Sequence, residues 1–252
     1  SYTVGGSPVS RVKKGAEVLV TATLSESVAA APVLQISASG SNTVSAVDMT
    51  FGSSTSYTYS WTVDAGDGNT NFVVSVAKDL AGNVIAATPT AGGIIIVDNT
   101  DPSVFTTGVV TAVGGEVQTG YWNASNSGLT VSVPIAGDVS LTGGTVQIQG
   151  RATGDYENLG AAMGIVNADL SKDKVITLPG LSTALSSLVG YGQGAVLSFS
   201  GVLTDLAGNK KDGVASTTTL TIDTIIPVDF MAGVVTAVGG EVQAGYWNGS
   251  NS

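Results

Sequence analysis

One segment of twenty residues occurs twice in this chain, 125 positions apart. Residues 108–127 read GVVTAVGGEVQTGYWNASNS and residues 233–252 read GVVTAVGGEVQAGYWNGSNS, so only two of the twenty positions differ. A tract repeated at one fixed spacing is the sequence signature of a tandem array of similar units. We therefore expect successive domains, and a longer molecule of which these residues are a part.

Two further motifs recur at nearly the same spacing, 126 and 125 residues. DLAGN occurs at residues 79–83 and 205–209, and VDNTDP at 97–102 is echoed by IDTIIP at 222–227. Proline fixes φ and cannot donate to a strand ladder, so it suits a boundary after a final strand. The predicted domains are residues 1–102, residues 103–227 with an insertion, and residues 228–252 as the first strand or strands of a third repeat.

Composition favours an all-β fold. Charged residues make up 11% of the chain, against about 25% in typical soluble domains, while 43% are hydrophobic and 34 residues are glycine. Alternation predicts strands: in YTYSWTV the side chains of Tyr57, Tyr59 and Trp61 share one face. The other predicted strands are residues 17–24, 33–37, 43–49, 72–77, 93–97, 129–133, 145–149, 175–178, 196–200 and 217–222. About seven short strands per domain predict a β-sandwich.

The insertion contains one candidate helix. Leu181, Leu185 and Leu188 follow the i, i+4, i+7 spacing of a helical face, between Pro179-Gly180 and Gly190. The spacing predicts a helix of about two to three turns. The alternative is an apolar loop that caps one end of the sandwich.

Charge and missing residue types exclude several classes of function. The net charge is −10, from 19 acidic and 9 basic residues, which disfavours nucleic-acid binding. The chain has no cysteine and no histidine, so disulfides, thiolate metal sites and Ser-His-Asp triads are excluded. The strongly apolar run GIIIV at residues 93–97 is far shorter than the ~20 residues that span a bilayer. We expect neither a transmembrane segment here nor an enzyme.

Three segments of the first domain carry a family resemblance. VKKGAEVLVTATLSESV (12–28), VAKDLAGN (76–83) and IIIVDNTDP (94–102) resemble bacterial Ig-like domains. In the second domain the resemblance covers residues 204–227; its first half is either a divergent copy or a different sandwich. The resemblance implies tandem Ig-like β-sandwich domains in series, in an extracellular protein of the bacterial cell surface such as a large adhesin.

The carboxylates near the DLAGN turn and the linker have two interpretations. Asp, Gly and Asn are suited to tight turns by their own chemistry. The alternative is a calcium site that stiffens the first junction, with Asp79, Asp98, Asp101 and Glu26 as ligands, since Ca²⁺ takes about 6–8 oxygens. The second linker keeps Asp223 but has Ile226 in place of Asp101. Asp64 and Asp67 in DAGDGN are better explained by a glycine-rich loop.

The repeated Tyr121-Trp122 pair suggests core packing for one ring, because adjacent strand residues face opposite ways. The other ring is expected at the surface or at a domain junction. Sugar stacking on such a ring is the alternative. Asp155 and Glu157 are expected at a solvated hairpin tip rather than in a glycosidase site.

These observations favour a structural stalk or fibre segment whose partners are neighbouring repeats or identical subunits. An unknown surface ligand, such as a glycan, is a further expected partner. The last segment could also pair with an open sheet edge of another subunit, and so build filaments by strand addition. The alternative function is an accessory carbohydrate-binding region of an exported polysaccharide-degrading enzyme.

Overall fold

The computed structural model describes residues 1–228, 230, 233, 235–236, 238–240, 242 and 244–251. The chain is all-β, as predicted, with twenty strands and one short α-helix among these residues. The buried apolar side chains form two separate clusters, one within residues 2–97 and one within residues 105–222. We call the strands around the first cluster the N-terminal sheet pair and those around the second the C-terminal sheet pair.

The N-terminal sheet pair has two five-stranded sheets. Its strands are β1 (Tyr2–Val4), β2 (Ser7–Pro8), β3 (Arg11–Val12), β4 (Glu17–Thr23), β5 (Gln35–Gly40), β6 (Val44–Asp48), β7 (Thr50–Ser53), β8 (Ser56–Thr62), β9 (Gly68–Ser75) and β10 (Ile94–Val97). One sheet has the order β2-β1-β4-β8-β7 and the other the order β3-β10-β9-β5-β6. Only the β3–β10 pair is parallel among the strand pairs of these two sheets.

Alternation along β8 places its aromatic side chains between these sheets, as predicted. Tyr57 and Trp61 are buried, and the Trp61 ring contacts Phe72 of the opposite sheet at 5.2 Å between centroids. Phe72 also lies 5.7 Å from the ring of Tyr2. Offset and edge-on aromatic pairs at these distances stabilise a core beyond their area burial, by about 0.5–1.5 kcal/mol each. The two sheets therefore pack face to face around this aromatic cluster.

The C-terminal sheet pair repeats much of this architecture. Its strands are β11 (Val110–Val113), β12 (Tyr121–Trp122), β13 (Gly128–Ile135), β14 (Thr145–Arg151), β15 (Glu157–Asn158), β16 (Met163–Gly164), β17 (Lys172–Pro179), β18 (Val196–Thr204), β19 (Lys210–Asp212) and β20 (Leu220–Ile222). One sheet has the order β11-β13-β17 and the other β12-β20-β18-β14-β15, with β16 on β14 and β19 on β18.

Seven strands of each pair correspond in order and direction. The series β1-β4-β8 matches β11-β13-β17, and β3-β10-β9-β5 matches β12-β20-β18-β14. Even the parallel contact recurs, since Val97 pairs with Val12 and Ile222 with Trp122. Trp122 thus holds the position of Val12, a correspondence that the sequences of the two segments do not reveal. The first half of the C-terminal sheet pair therefore repeats the strand order of the N-terminal sheet pair, although its sequence differs.

The predicted helix is present but short. It is α1 (Ser182–Ser186), five residues long, so it has little more than one turn rather than two to three. Leu181, Leu185 and Leu188 are all buried in the C-terminal core. The periodic spacing identified the buried face correctly, and the chain leaves the helix after Ser186 while Leu188 still reaches the core.

Candidate functional site at the junction of the two sheet pairs

The end of β10 is fixed by an ion pair. The Asp98 amide donates to the Val12 carbonyl at 2.8 Å, and Asp98 Oδ2 lies 3.0 Å from the Arg11 guanidinium. Asp98 Oδ1 accepts from the Thr100 amide at 3.2 Å. Asp98 is 7% exposed, so its charge is neutralised by Arg11 and not by solvent. The residue that follows β10 is therefore fixed by bonds from its backbone and from both of its carboxylate oxygens.

Both DLAGN turns close on themselves in the same way. In the first turn, Asp79 Oδ1 accepts from the Asn83 amide and Oδ2 from the Asn83 side chain, each at 2.8 Å. In the second, Asp205 makes the same two bonds with Asn209, each at 2.9 Å. The bonds from Asn83, its side chain first, hold the pKa of Asp79 below its ordinary value. These hydrogen bonds within each turn account for the DLAGN motif, as predicted from the suitability of Asp, Gly and Asn for tight turns.

The second turn also binds the end of the first unit. The Asn209 side chain donates to the Asp98 carbonyl at 2.9 Å, and the Lys13 ammonium donates to the Gly208 carbonyl at 2.6 Å. Asp205 and Asn209 are 3% and 5% exposed. The two amide hydrogens of Asn209 are thus shared between its own turn and the neighbouring unit.

The linker is tied back to the loop that precedes β9. Asp67 Oδ1 accepts from the Asn99 amide at 2.6 Å and from the Thr100 hydroxyl at 3.3 Å. Asn99 Oδ1 accepts from the Lys14 amide at 2.6 Å, and the Asn99 side chain donates to the Gly66 carbonyl. Asp67 therefore holds the linker through two hydrogen bonds. It lies in a glycine-rich loop, as predicted for DAGDGN.

The structure does not bring the four predicted calcium ligands together. Asp98 and Asp101 lie in the junction, whereas Asp79 follows the far end of β9, where Glu26 and Asp79 line one cavity. Eight residues of strand at about 3.3 Å each separate the two ends. In the part of the chain that the structure describes, no three acidic side chains form a group suited to a metal ion. Arg11 beside Asp98 also disfavours a cation there, so calcium binding stays a prediction without a common site.

The Tyr-Trp pair of the first tract divides between core and surface, as predicted. Trp122 is 2% exposed and Tyr121 is 47% exposed. A sugar cannot stack on Trp122 in this conformation. Glu157 and Asp155 are both exposed, as expected of a hairpin tip, and the nearby Arg151 guanidinium lies 4.4 Å from the Tyr156 ring centre.

Sequence reasoning missed the residues that join the two units. Neither Lys13 nor Asn209 is predicted as a contact residue, although Lys13 lies in a conspicuous pair with Lys14 and Asn209 ends a recognised motif. No spacing rule connects positions 98 and 209, so only the folded chain reveals this contact.

No protein-family model matches the chain, and a comparison with curated proteins finds no significant relative. Among the described residues, no helix is long and apolar enough to cross a membrane.

Proposed function

We propose that this chain is a structural stalk or fibre segment of a large bacterial cell-surface protein, an adhesin built of Ig-like sandwiches in series. The observation that carries the proposal is the docked turn at the junction, where Asn209 and Lys13 join the two sheet pairs. A display protein needs defined angles between successive domains, and the buried Asn209 contact supports a defined angle at this junction.

The strand order supports Ig-like units. Each sheet pair has an antiparallel three-strand series facing a four-strand series with one parallel edge contact. Two antiparallel sheets packed face to face with crossing connections are the features of the immunoglobulin fold. Fold alone does not assign a ligand, so the extracellular location and the display role rest on the resemblance and on the serial arrangement.

The second copy of the tract supports a third unit. Gly239, Gly240 and Gly245 have φ of 77°, 60° and 81°, against 85°, 58° and 79° for their counterparts 125 residues earlier. The Asn251 side chain donates to the Gly239 carbonyl at 2.9 Å, as Asn126 does to Gly114. The same local conformation at the same spacing is what a further repeat requires.

The carbohydrate-binding alternative stays a prediction. It depends on one exposed aromatic ring in the tract; Trp122 lies in the core, but Tyr121 is 47% exposed, so any sugar stacking in the first copy would have to use Tyr121. The calcium hypothesis is likewise left as a prediction, which calorimetric titration tests.

Small-angle X-ray scattering tests the proposal. A single compact globule of this length has a radius of gyration of about 18 Å, and we expect a clearly larger value for two units in series. A value near 18 Å contradicts the stalk.

Dye pairs placed in the two sheet pairs then test the junction. We expect Asn209→Ala to broaden the distribution of distances between them, because the bond to Asp98 is lost. Asn83→Ala is the matched control, since it removes the same bond within the turn but no bond between the units. If the distance distributions of the two variants have equal widths, Asn209 does not fix the angle between the sheet pairs.

A further inference from the structure

The outer edge of β17 has no neighbouring strand. β17 (Lys172–Pro179) is the last strand of the sheet β11-β13-β17, and among the described residues it pairs with β13 alone. Its eight residues make it the longest strand at a sheet edge in the part of the chain that the structure describes. A long edge of this kind presents a row of N–H and C=O groups with which another chain can pair.

The unpaired backbone groups of this edge belong to Asp173, Val175 and Thr177. The Ser132 amide of β13 donates to the Val109 carbonyl at 3.0 Å, so the backbone groups of Ser132 face β11 and not β17. Ser132 lies opposite Val175, which therefore receives no bond from β13 and turns its own N–H and C=O to the outer edge. Residues two apart in a strand point the same way, so Asp173 and Thr177 do the same.

The corresponding edge of the N-terminal sheet pair is covered by a strand of its own. β8 corresponds to β17, and β7 pairs with the outer edge of β8 in antiparallel direction. Thr21 pairs with Thr58 on β8 as Ser132 pairs with Val175 on β17, and Thr50 of β7 lies opposite Thr58. In the C-terminal sheet pair, β15 and β16 both pair with β14 instead. This architecture thus accepts an antiparallel strand at the β17 edge, and no described strand of the C-terminal sheet pair supplies it.

The two lysines of β17 do not guard this edge. Proteins commonly keep an edge strand single by means of charged side chains, lysine above all. Here the Lys172 ammonium donates to the Ala168 carbonyl at 3.0 Å, and the Lys174 ammonium lies 2.7 Å from the Asp169 carboxylate. Both side chains are thus bound to the turn before β17. The side chain at the middle of the free edge is Val175, which is apolar and 64% exposed.

The free edge is complementary to a second copy of itself. Two antiparallel β17 strands with Val175 on the two-fold axis place each Asp173 opposite the Thr177 of the other copy. Every free N–H of this stretch then meets a free C=O, which gives about six hydrogen bonds. The two Val175 side chains contact each other, and no two like charges lie opposite in this register. A register shifted by two residues brings Pro179 opposite Asp173, where the missing N–H of proline removes bonds.

We propose that two copies of this chain associate through the outer edges of β17, in antiparallel register with Val175 on the two-fold axis. Each copy gives the other the strand that β7 provides in the N-terminal sheet pair, and the two three-stranded sheets become one continuous sheet. A two-fold contact uses the same patch on both copies and is closed, so it yields a dimer and not a filament. The inference goes beyond the stalk role, because it concerns contacts between chains and not the arrangement of units within one.

Sedimentation velocity of the complete chain over a wide concentration range tests the association. We expect a monomer that converts to a dimer as the concentration rises. Val175→Lys should weaken the dimer about tenfold or more, because it sets two ammonium groups against each other at the axis. The matched control is Val109→Lys, since Val109 is 63% exposed and precedes β11 at the opposite edge of the same sheet. A chain that stays monomeric at millimolar concentration overturns the proposal, and so do assemblies larger than a dimer or equal effects of the two substitutions.

A single introduced cysteine tests the register, because the chain has none of its own. Opposite residues of a hydrogen-bonded antiparallel pair have Cα atoms about 5.5 Å apart, which is within the range that a disulfide spans. We therefore expect Val175→Cys to form a covalent dimer under mild oxidation. Thr177→Cys is the matched control, because its two copies are separated by about 13 Å along the strands. A covalent dimer that forms equally fast in both variants, or in neither, overturns the two-fold contact.

Discussion

The two copies of the repeated tract have nearly the same sequence and the same loop conformation but different surroundings. In each copy an Asn-x-Ser-Asn turn closes on itself: the amide of Asn123 donates to the Asn126 side chain at 2.8 Å, and Asn248 donates to Asn251 at 2.8 Å. Yet Trp122 is 2% exposed, whereas Trp247 is 69% exposed. Local hydrogen bonds fix the loop in both places, while burial of the ring depends on strands from elsewhere in the chain.

This contrast separates two kinds of information in one segment. The turn is encoded by residues within about five positions of one another, so it forms wherever the segment lies. The Trp side chain is buried only where strands like β20 and β13 pack around it, because a single strand cannot enclose an indole. Substitutions in the two copies therefore distinguish local from tertiary contributions to stability.

The largest expected difference is at the tryptophans. We expect Trp122→Ala to lower the free energy of unfolding by about 3–5 kcal/mol, since it leaves a cavity in the C-terminal core. Trp247→Ala should change it by less than about 0.5 kcal/mol, as is usual for exposed positions. Urea unfolding followed by circular dichroism measures both. Similar losses in the two variants would mean that the second ring is buried in solution.

A smaller difference is expected at the asparagines that close the turns. Asn126 is 4% exposed, accepts from the Asn123 amide and donates to the Gly114 carbonyl at 2.9 Å. Asn126→Ala removes both of these partly buried bonds, so we expect a loss of about 2 kcal/mol. Asn251→Ala removes the same bonds at a half-buried position, where water can replace them.

The measurement is again the midpoint of urea unfolding, with the wild type and Asn251→Ala beside Asn126→Ala. Equal shifts of the midpoint would show that the bonds within the turn, and not their burial, determine the loss.

Much of the fold could be predicted because its signals are local. Alternation identified β8 and β13, and the DLAGN motif identified two turns whose Asp and Asn side chains bond as expected. The strand predicted over residues 43–49 corresponds to β6, but β7 was not predicted, since the chain passes from one sheet to the other at Met49 without a Gly or Pro signal. Local patterns also could not show that Trp122 replaces Val12.

The candidate site was less predictable for a physical reason. Its decisive bonds join positions 98 and 209, and 13 and 208, which are far apart in sequence. The side chains at these positions are common on exposed turns and strands. Acidic residues drew attention as calcium ligands, but Asp98 is instead neutralised by Arg11, a partner 87 residues away.

The smallest expected effect concerns the glycines that shape both tracts. Gly120 has φ of 79° and Gly245 has φ of 81°, and a Cβ at either position would meet nothing within 4 Å. Gly120→Ala therefore tests backbone conformation alone, and we expect it to lower the free energy of unfolding by about 1 kcal/mol, the lower end of the penalty for a left-handed non-glycine residue. Gly164→Ala is the control, because a Cβ there is equally unobstructed and its φ is not positive. If both variants unfold at the same urea concentration, the left-handed turn is not maintained in solution, and the conformational identity of the two tracts no longer holds.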